Sequence, residues 1–207
     1  MTAITPHLWR HTTYNQFIDL TFNQYLIGTA HPMLIHTGSA PEAPSLLKAL
    51  KGRKLSYIFV SHFESDECGA LSAILNVYPS AKVVTGEVTA RQITGFGIKA
   101  DVITASDGEV LSLGDLELEM IAYPSEMHLW DGLLCYERKS KTFFSSDLMI
   151  RFGNSDVNQV TSDWKQEVEA IGVMQIADAD RRRTLKERLL TLDVDLVAPG
   201  HGPILTV

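Results

Sequence analysis

Apolar positions fall into short runs and alternations broken by Gly, Pro and Asn, the spacing of a strand-rich chain with short helices. Leu8-Trp9-Arg10, Phe22 to Ile27 and Met33-Leu34-Ile35-His36 predict the opening strands of a meander. A helix is predicted at Glu42 to Leu50 and a strand at Leu55 to Val60. Helical spacing follows at Ala70 to Leu75 and Glu87 to Thr94, on either side of a short strand at Ala81 to Thr85. Strand signals return at Val102-Ile103, Val110-Leu111, Leu116 to Ala122, Leu133 to Glu137 and Thr142-Phe143-Phe144. Two helices between about Asp163 and Leu192 and a last strand at Leu196-Val197-Ala198 complete the pattern. This order predicts an α/β (α+β) fold in which two sheets pack together with helices outside. No Pro/Gly/Ser-rich linker divides the chain, so residues 1–207 read as a single domain.

The chemistry concentrates where predicted strands end. Directly after Val60 comes Ser61-His62-Phe63-Glu64-Ser65-Asp66-Glu67-Cys68. In an extended segment successive side chains alternate faces, so His62, Glu64 and Asp66 are expected to project to one side. Imidazole and carboxylate are ligands of divalent first-row metals, and several anions crowd together at low cost only around a cation. Three further loci have the same placement. His128 lies in the polar loop Tyr123 to Asp131, Asp147 follows Phe143-Phe144-Ser145-Ser146, and His201 stands between Gly200 and Gly202 after Ala198-Pro199. Loops past strand ends can converge on one rim of a sheet.

Other features read as structural. His7, His11, His31 and His36 lack metal-type spacing and are expected to be ordinary surface or hydrogen-bonded histidines. Gly95-Phe96-Gly97-Ile98-Lys99-Ala100 follows a helix instead of a strand, the reverse of a dinucleotide fingerprint, and reads as a helix-ending turn. Cys68 reads as a small packed residue opening a helix. No Gly-x-Ser-x-Gly elbow points to a serine hydrolase.

Composition narrows the partners. A net charge of −7 with a pI near 5.4 argues against nucleic acid, which is held by clustered Lys and Arg. Arg181-Arg182-Arg183 continues into a helical pattern and reads as a solvated helix face. The first residues, MTAITPHLWRHTTYN, have neither the build of a secretory signal nor a span able to cross a bilayer, so no membrane association and a cytoplasmic location are expected. Two cysteines, Cys68 and Cys135, suit a reducing compartment.

Together the four loci resemble the metallo-β-lactamase superfamily, a four-layer αββα sandwich with a binuclear metal site in the loops at one edge of its sheets. The superfamily's usual first motif is His-x-His-x-Asp-His; His62-Phe63-Glu64-Ser65-Asp66-Glu67 instead reads His-x-Glu-x-Asp-Glu. Glutamate in the second ligand position is similar to the flavodiiron branch, the oxygen- and nitric-oxide-reducing proteins, as is the early strand Thr21 to Ile27. The resemblance implies His62, Glu64 and His128 on a first metal, Asp66 and His201 on a second, and Asp147 bridging. Glu67 replaces a histidine of that branch. If it binds, four carboxylates (Glu64, Asp66, Glu67, Asp147) balance two divalent cations, and the anionic oxygen favours iron, or manganese, ahead of zinc. Phe63, Tyr25 and Trp130 are candidate pocket residues.

The function so implied is a non-haem di-iron protein that binds dioxygen or nitric oxide, reducing it or reporting its presence. In that branch a flavodoxin-like domain follows the metal domain. Here six residues follow His201, so no flavin is expected within this chain. A separate flavoprotein or rubredoxin-like donor would supply electrons, and a homodimer is expected. The alternative is a metal-dependent hydrolase of an ester, thioester or lactone, in which a metal-bound water attacks and Asp66 or Glu67 handles the proton.

Overall fold

A computed structural model describes residues 1–128, 131–154 and 159–207. Its first sheet takes seven strands in chain order: β1 (Thr2–Thr5), β2 (Leu8–Asn15), β3 (Leu20–Ile27), β4 (Met33–Ile35), β5 (Tyr57–Phe59), β6 (Lys82–Thr85) and β7 (Asp101–Thr104). Pairing is antiparallel as far as β4 and parallel from β4 to β7. Parallel neighbours need crossovers, and helices supply them. These are α1 (Ala43–Leu50), α2 (Ser65–Cys68) with α3 (Leu71–Val77), and α4 (Glu87–Gly95).

The second sheet is built from β8 (Val110–Leu113), β9 (Leu116–Tyr123), β10 (Gly132–Glu137), β11 (Thr142–Ser146), β12 (Gln159–Thr161), β13 (Leu196–Pro199) and β14 (Ile204–Thr206). Its spatial order is β12-β14-β13-β11-β10-β9-β8. Helices α5 (Trp164–Ala170) and α6 (Ala179–Leu189) precede β13.

Three apolar clusters define four layers. Tyr25, Ile27 and Phe59 meet Met120, Cys135 and Phe144 between the sheets. Leu26, Leu34 and Ile58 pack under Leu46, Leu50, Leu71 and Ile74 of α1 and α3. Leu134, Phe143 and Val197 pack under Val168, Leu185 and Leu189 of α5 and α6. Successive strand residues such as Ile58 and Phe59 thus face different clusters, which is why these strands read as unbroken apolar runs. The αββα sandwich implied by the sequence is the architecture found.

The differences have physical reasons. β1 is largely exposed and β12 holds three residues of which two are exposed, so neither has a burial pattern to read. The expected extended run from His62 to Asp66 is corrected: the chain turns helical at Ser65, and Asp66 and Glu67 lie on α2. Among the described residues no helix is long and apolar enough to cross a membrane.

Candidate metal centre

Four loops at one edge of the sandwich place seven side chains. His62 and Glu64 follow β5, and Asp66 and Glu67 sit on α2. His128 ends a 3-10 turn (Glu126–His128) after β9, Asp147 follows β11, and His201 follows β13. The structure brings them into two donor groups. His62, Glu64, His128 and Asp147 form one, and Asp66, Glu67 and His201 form the other.

Asp147 stands between the groups. Its Oδ2 lies 3.7 Å from His62 Nε2 and 3.7 Å from His128 Nε2, while its Oδ1 lies 3.2 Å from His201 Nε2. His62 Nε2 is also 3.7 Å from Glu64 Oε1 and 3.6 Å from Glu67 Oε2, and His201 Nε2 is 3.4 Å from Asp66 Oδ2. Atoms sharing a metal at bond lengths of about 2.0–2.2 Å sit roughly 3–3.6 Å apart, so this spacing suits a cation within each group.

The atoms left over point the same way. His62 Nε2, Glu67 Oε2 and Asp147 Oδ1 are buried and make no well-formed hydrogen bond. Buried polar atoms without partners are costly, and the donor set is mostly anionic oxygen. Burial, with Asp147 and Asp66 close by, pushes the Glu67 carboxyl well above the usual carboxylate range. The His128 imidazole, hydrogen-bonded to Glu64 at 2.8 Å, and the nearby His62 hold Glu64 below it. Burial alone would raise Asp147, but His201, His62 and His128 outweigh it and the net direction is down. Two divalent cations would neutralise the four carboxylates, so the residues present fit a binuclear centre.

Residues 20–202 match the family described as ODP family beta lactamase. This chain belongs to the ODP family. The ODP-family chain is 25% identical over 200 residues to diflavin flavoprotein A 1 of Synechocystis sp., covering 89% of this chain and 34% of the relative. It is 25% identical over 197 residues to a nitric oxide reductase of Moorella thermoacetica, covering 89% and 49%. The rubredoxin oxygen:oxidoreductase of Desulfovibrio gigas superposes with a TM-score of 0.81 at 21% identity, over 99% of this chain and 57% of that one. The fold is therefore the metallo-β-lactamase sandwich of flavodiiron cores. The chain spans about a third to a half of the length of these two curated relatives.

In this ODP-family chain β3 holds the His201 loop across the gap between the sheets. Asn23 N–H donates to Gly200 O, and Asn23 Nδ2 donates to Pro199 O and Gly202 O. His201 Nδ1 donates to Thr21 O at 2.8 Å. A carbonyl only accepts, so the proton stays on Nδ1 and Nε2 faces Asp147 and Asp66. Burial disfavours charge on His201, but Asp147 more than offsets it, and the pKa lies above the ordinary imidazole value. A cation at Nε2 would therefore have to compete with a proton. Gly202 has φ +100°, and an added Cβ would come within 2.8 Å of Arg151 Cβ. Gly202→Ala is expected to cost on the order of 2 kcal/mol and to displace His201; denaturant unfolding and cation stoichiometry check both.

The remaining candidates are placed as follows. Phe63 lines a cavity of about 40 Å³ beside His62 and His128, and its ring meets Phe96 at 5.0 Å. Tyr25 is buried between the sheets, its hydroxyl donating to Pro199 O. Trp130 lies outside the described residues. Cys68 is buried at the end of α2 with its thiol pushed up to about 12, chiefly by burial.

Sequence reasoning missed Phe22, whose ring meets His201 edge-on at 5.0 Å. His36 also needs correcting. It is 3% exposed, has φ +61°, stacks on Phe59, and its Nε2 has no hydrogen-bond partner. Its signal was its place at the end of an apolar strand, the same as that of the candidate donors.

Burial, with His62 nearby, lowers His36 to about 3 from 6.5. The unfolded chain therefore binds this proton more readily. Stability from neutral His36 is present above about pH 6.5 and is lost as pH falls toward 3, on the order of 5 kcal/mol in all. His36→Asn, which tolerates the left-handed backbone, is expected to remove this component and flatten the acid limb of a pH-stability curve.

Proposed function

We propose that the chain holds a non-haem di-iron centre that binds dioxygen or nitric oxide, with electrons delivered by a flavoprotein or rubredoxin-like donor, or that it reports the gas without sustained turnover. The observation supporting this most directly is Asp147, whose two oxygens face separate donor groups. His62, Glu64 and His128 would hold one cation, Asp66, Glu67 and His201 the other, and Asp147 both. Held there, two ferrous ions would supply electrons and open coordination positions for a diatomic ligand. The protein's own part is electrostatic and positional: four carboxylates favour hard cations, buried histidines keep their lone pairs inward, and Phe22 and Phe63 limit water beside them. The names of the Moorella and Desulfovibrio proteins agree with this chemistry.

The test is metal analysis of protein purified without oxygen, followed by absorption spectra on adding dioxygen or nitric oxide. Two irons per chain and a new charge-transfer band are expected. About one zinc, no iron and unchanged spectra would reject the proposal, and hydrolysis of a thioester panel by that zinc form would favour the hydrolase alternative.

A further inference from the structure

His62 Nε2 lies 3.6–3.7 Å from Glu64 and Asp147 of one donor group and from Glu67 of the other. Its other nitrogen meets a hydroxyl. His62 Nδ1 lies 2.9 Å from Ser61 Oγ, and Ser61 Oγ lies 2.9 Å from Ser146 Oγ. Ser61 is 0% and Ser146 3% exposed, so bulk water does not compete for these contacts. The pair also crosses between the sheets, since Ser61 follows β5 and Ser146 ends β11 next to Asp147. Ser146 has φ +47°, and its carbonyl accepts from Gly200 N–H, one residue before His201.

The contrast with His201 is chemical. Thr21 O can only accept, which fixes the His201 tautomer, whereas a serine hydroxyl can accept or donate. We propose that Ser61 and Ser146 are positioning residues that form a two-hydroxyl relay setting the tautomer of His62. With a cation at Nε2, Nδ1–H donates to Ser61 Oγ, and Ser61 O–H donates to Ser146 Oγ. With a proton on Nε2 facing the carboxylates, Ser61 O–H turns and donates to Nδ1. One N–H bond breaks, the other forms, and His62 releases no net proton. The relay rests on the cation site proposed above.

The test uses the full chain labelled with ¹⁵N-histidine and titrated with zinc, which is diamagnetic. Long-range ¹H–¹⁵N spectra read the tautomer, and competition with a chelator reads affinity. On adding zinc, His62 is expected to change from the Nε2–H to the Nδ1–H pattern. Ser61→Ala is expected to weaken zinc binding by about 10–100-fold, and Ser146→Ala by less. Ser145→Ala removes a buried hydroxyl that has no hydrogen-bond partner, and it is expected to leave affinity within about twofold. Wild-type affinity in Ser61→Ala, or one His62 tautomer with and without zinc, would overturn the relay alone. Failure of the wild-type chain to take up zinc or iron would overturn the centre and the relay together.

Discussion

Asparagine at position 147 is expected to leave a chain that holds no more than one cation where the proposed centre holds two. The substitution keeps the shape of the side chain but exchanges a carboxylate oxygen for an NH₂ group, which cannot bind a cation. Both donor groups feel the loss, because Oδ2 faces His62 and His128 while Oδ1 faces His201. Removing outer-sphere partners already costs 10–100-fold, so loss of a shared ligand is expected to weaken the second cation by more than about 100-fold. Metal analysis after gel filtration reads the stoichiometry, and two cations retained would remove Asp147 from its bridging place. The chelated protein shows a smaller effect. Asp147 titrates below its ordinary value, so its attraction to the histidines adds stability above the unfolded carboxylate pKa, near 4. That stability disappears as pH falls further, and the two proteins converge in acid.

Glutamine at position 67 is expected to act in opposite directions with and without metal. In chelator, Glu67 is buried among Asp147 and Asp66 with its pKa raised, so the folded state keeps a proton that the unfolded chain gives up. Stability then falls as pH rises from the unfolded value through the folded one. Each unit of displacement is worth about 1.4 kcal/mol. Glutamine is neutral throughout, so the chelated variant should melt several degrees higher than wild type near neutral pH, on the scale of about 2–4 °C per kcal/mol for a chain this long. With iron or manganese present the order reverses, because a charged ligand has become a neutral one. Calorimetry of both proteins between about pH 5 and pH 8, with and without chelator, checks the crossing. Parallel curves would mean that Glu67 is ionised in the folded, chelated state.

What could be read from the sequence followed burial. Strands such as β5 and β11 are covered on both faces and appear as apolar runs, and each donor stands just past such a run or at the end of a short polar loop. Edge strands had no such mark. The grouping of the donors was less legible, because equal spacing of His62, Glu64 and Asp66 presumes extended backbone. The helical turn at Ser65 carries Asp66 away from His62's group and into that of His201. Contacts that orient the imidazoles were invisible for a different reason. Thr21 O is a backbone atom, and Ser61 and Ser146 are 85 residues apart, so local patterning cannot announce either.

Ownership of the donors has a thermodynamic side. His62, Glu64, Asp66 and Glu67 belong to loops and helix on the first sheet, while His128, Asp147 and His201 extend from the second. A cation gripped from both halves acts as a rivet, since prising the halves apart must also strip its ligands. Each tenfold rise in free cation above the dissociation constant therefore opposes that opening by about 1.4 kcal/mol. Cation supply would then set how firmly the two halves stay joined as well as how fully the proposed centre is loaded.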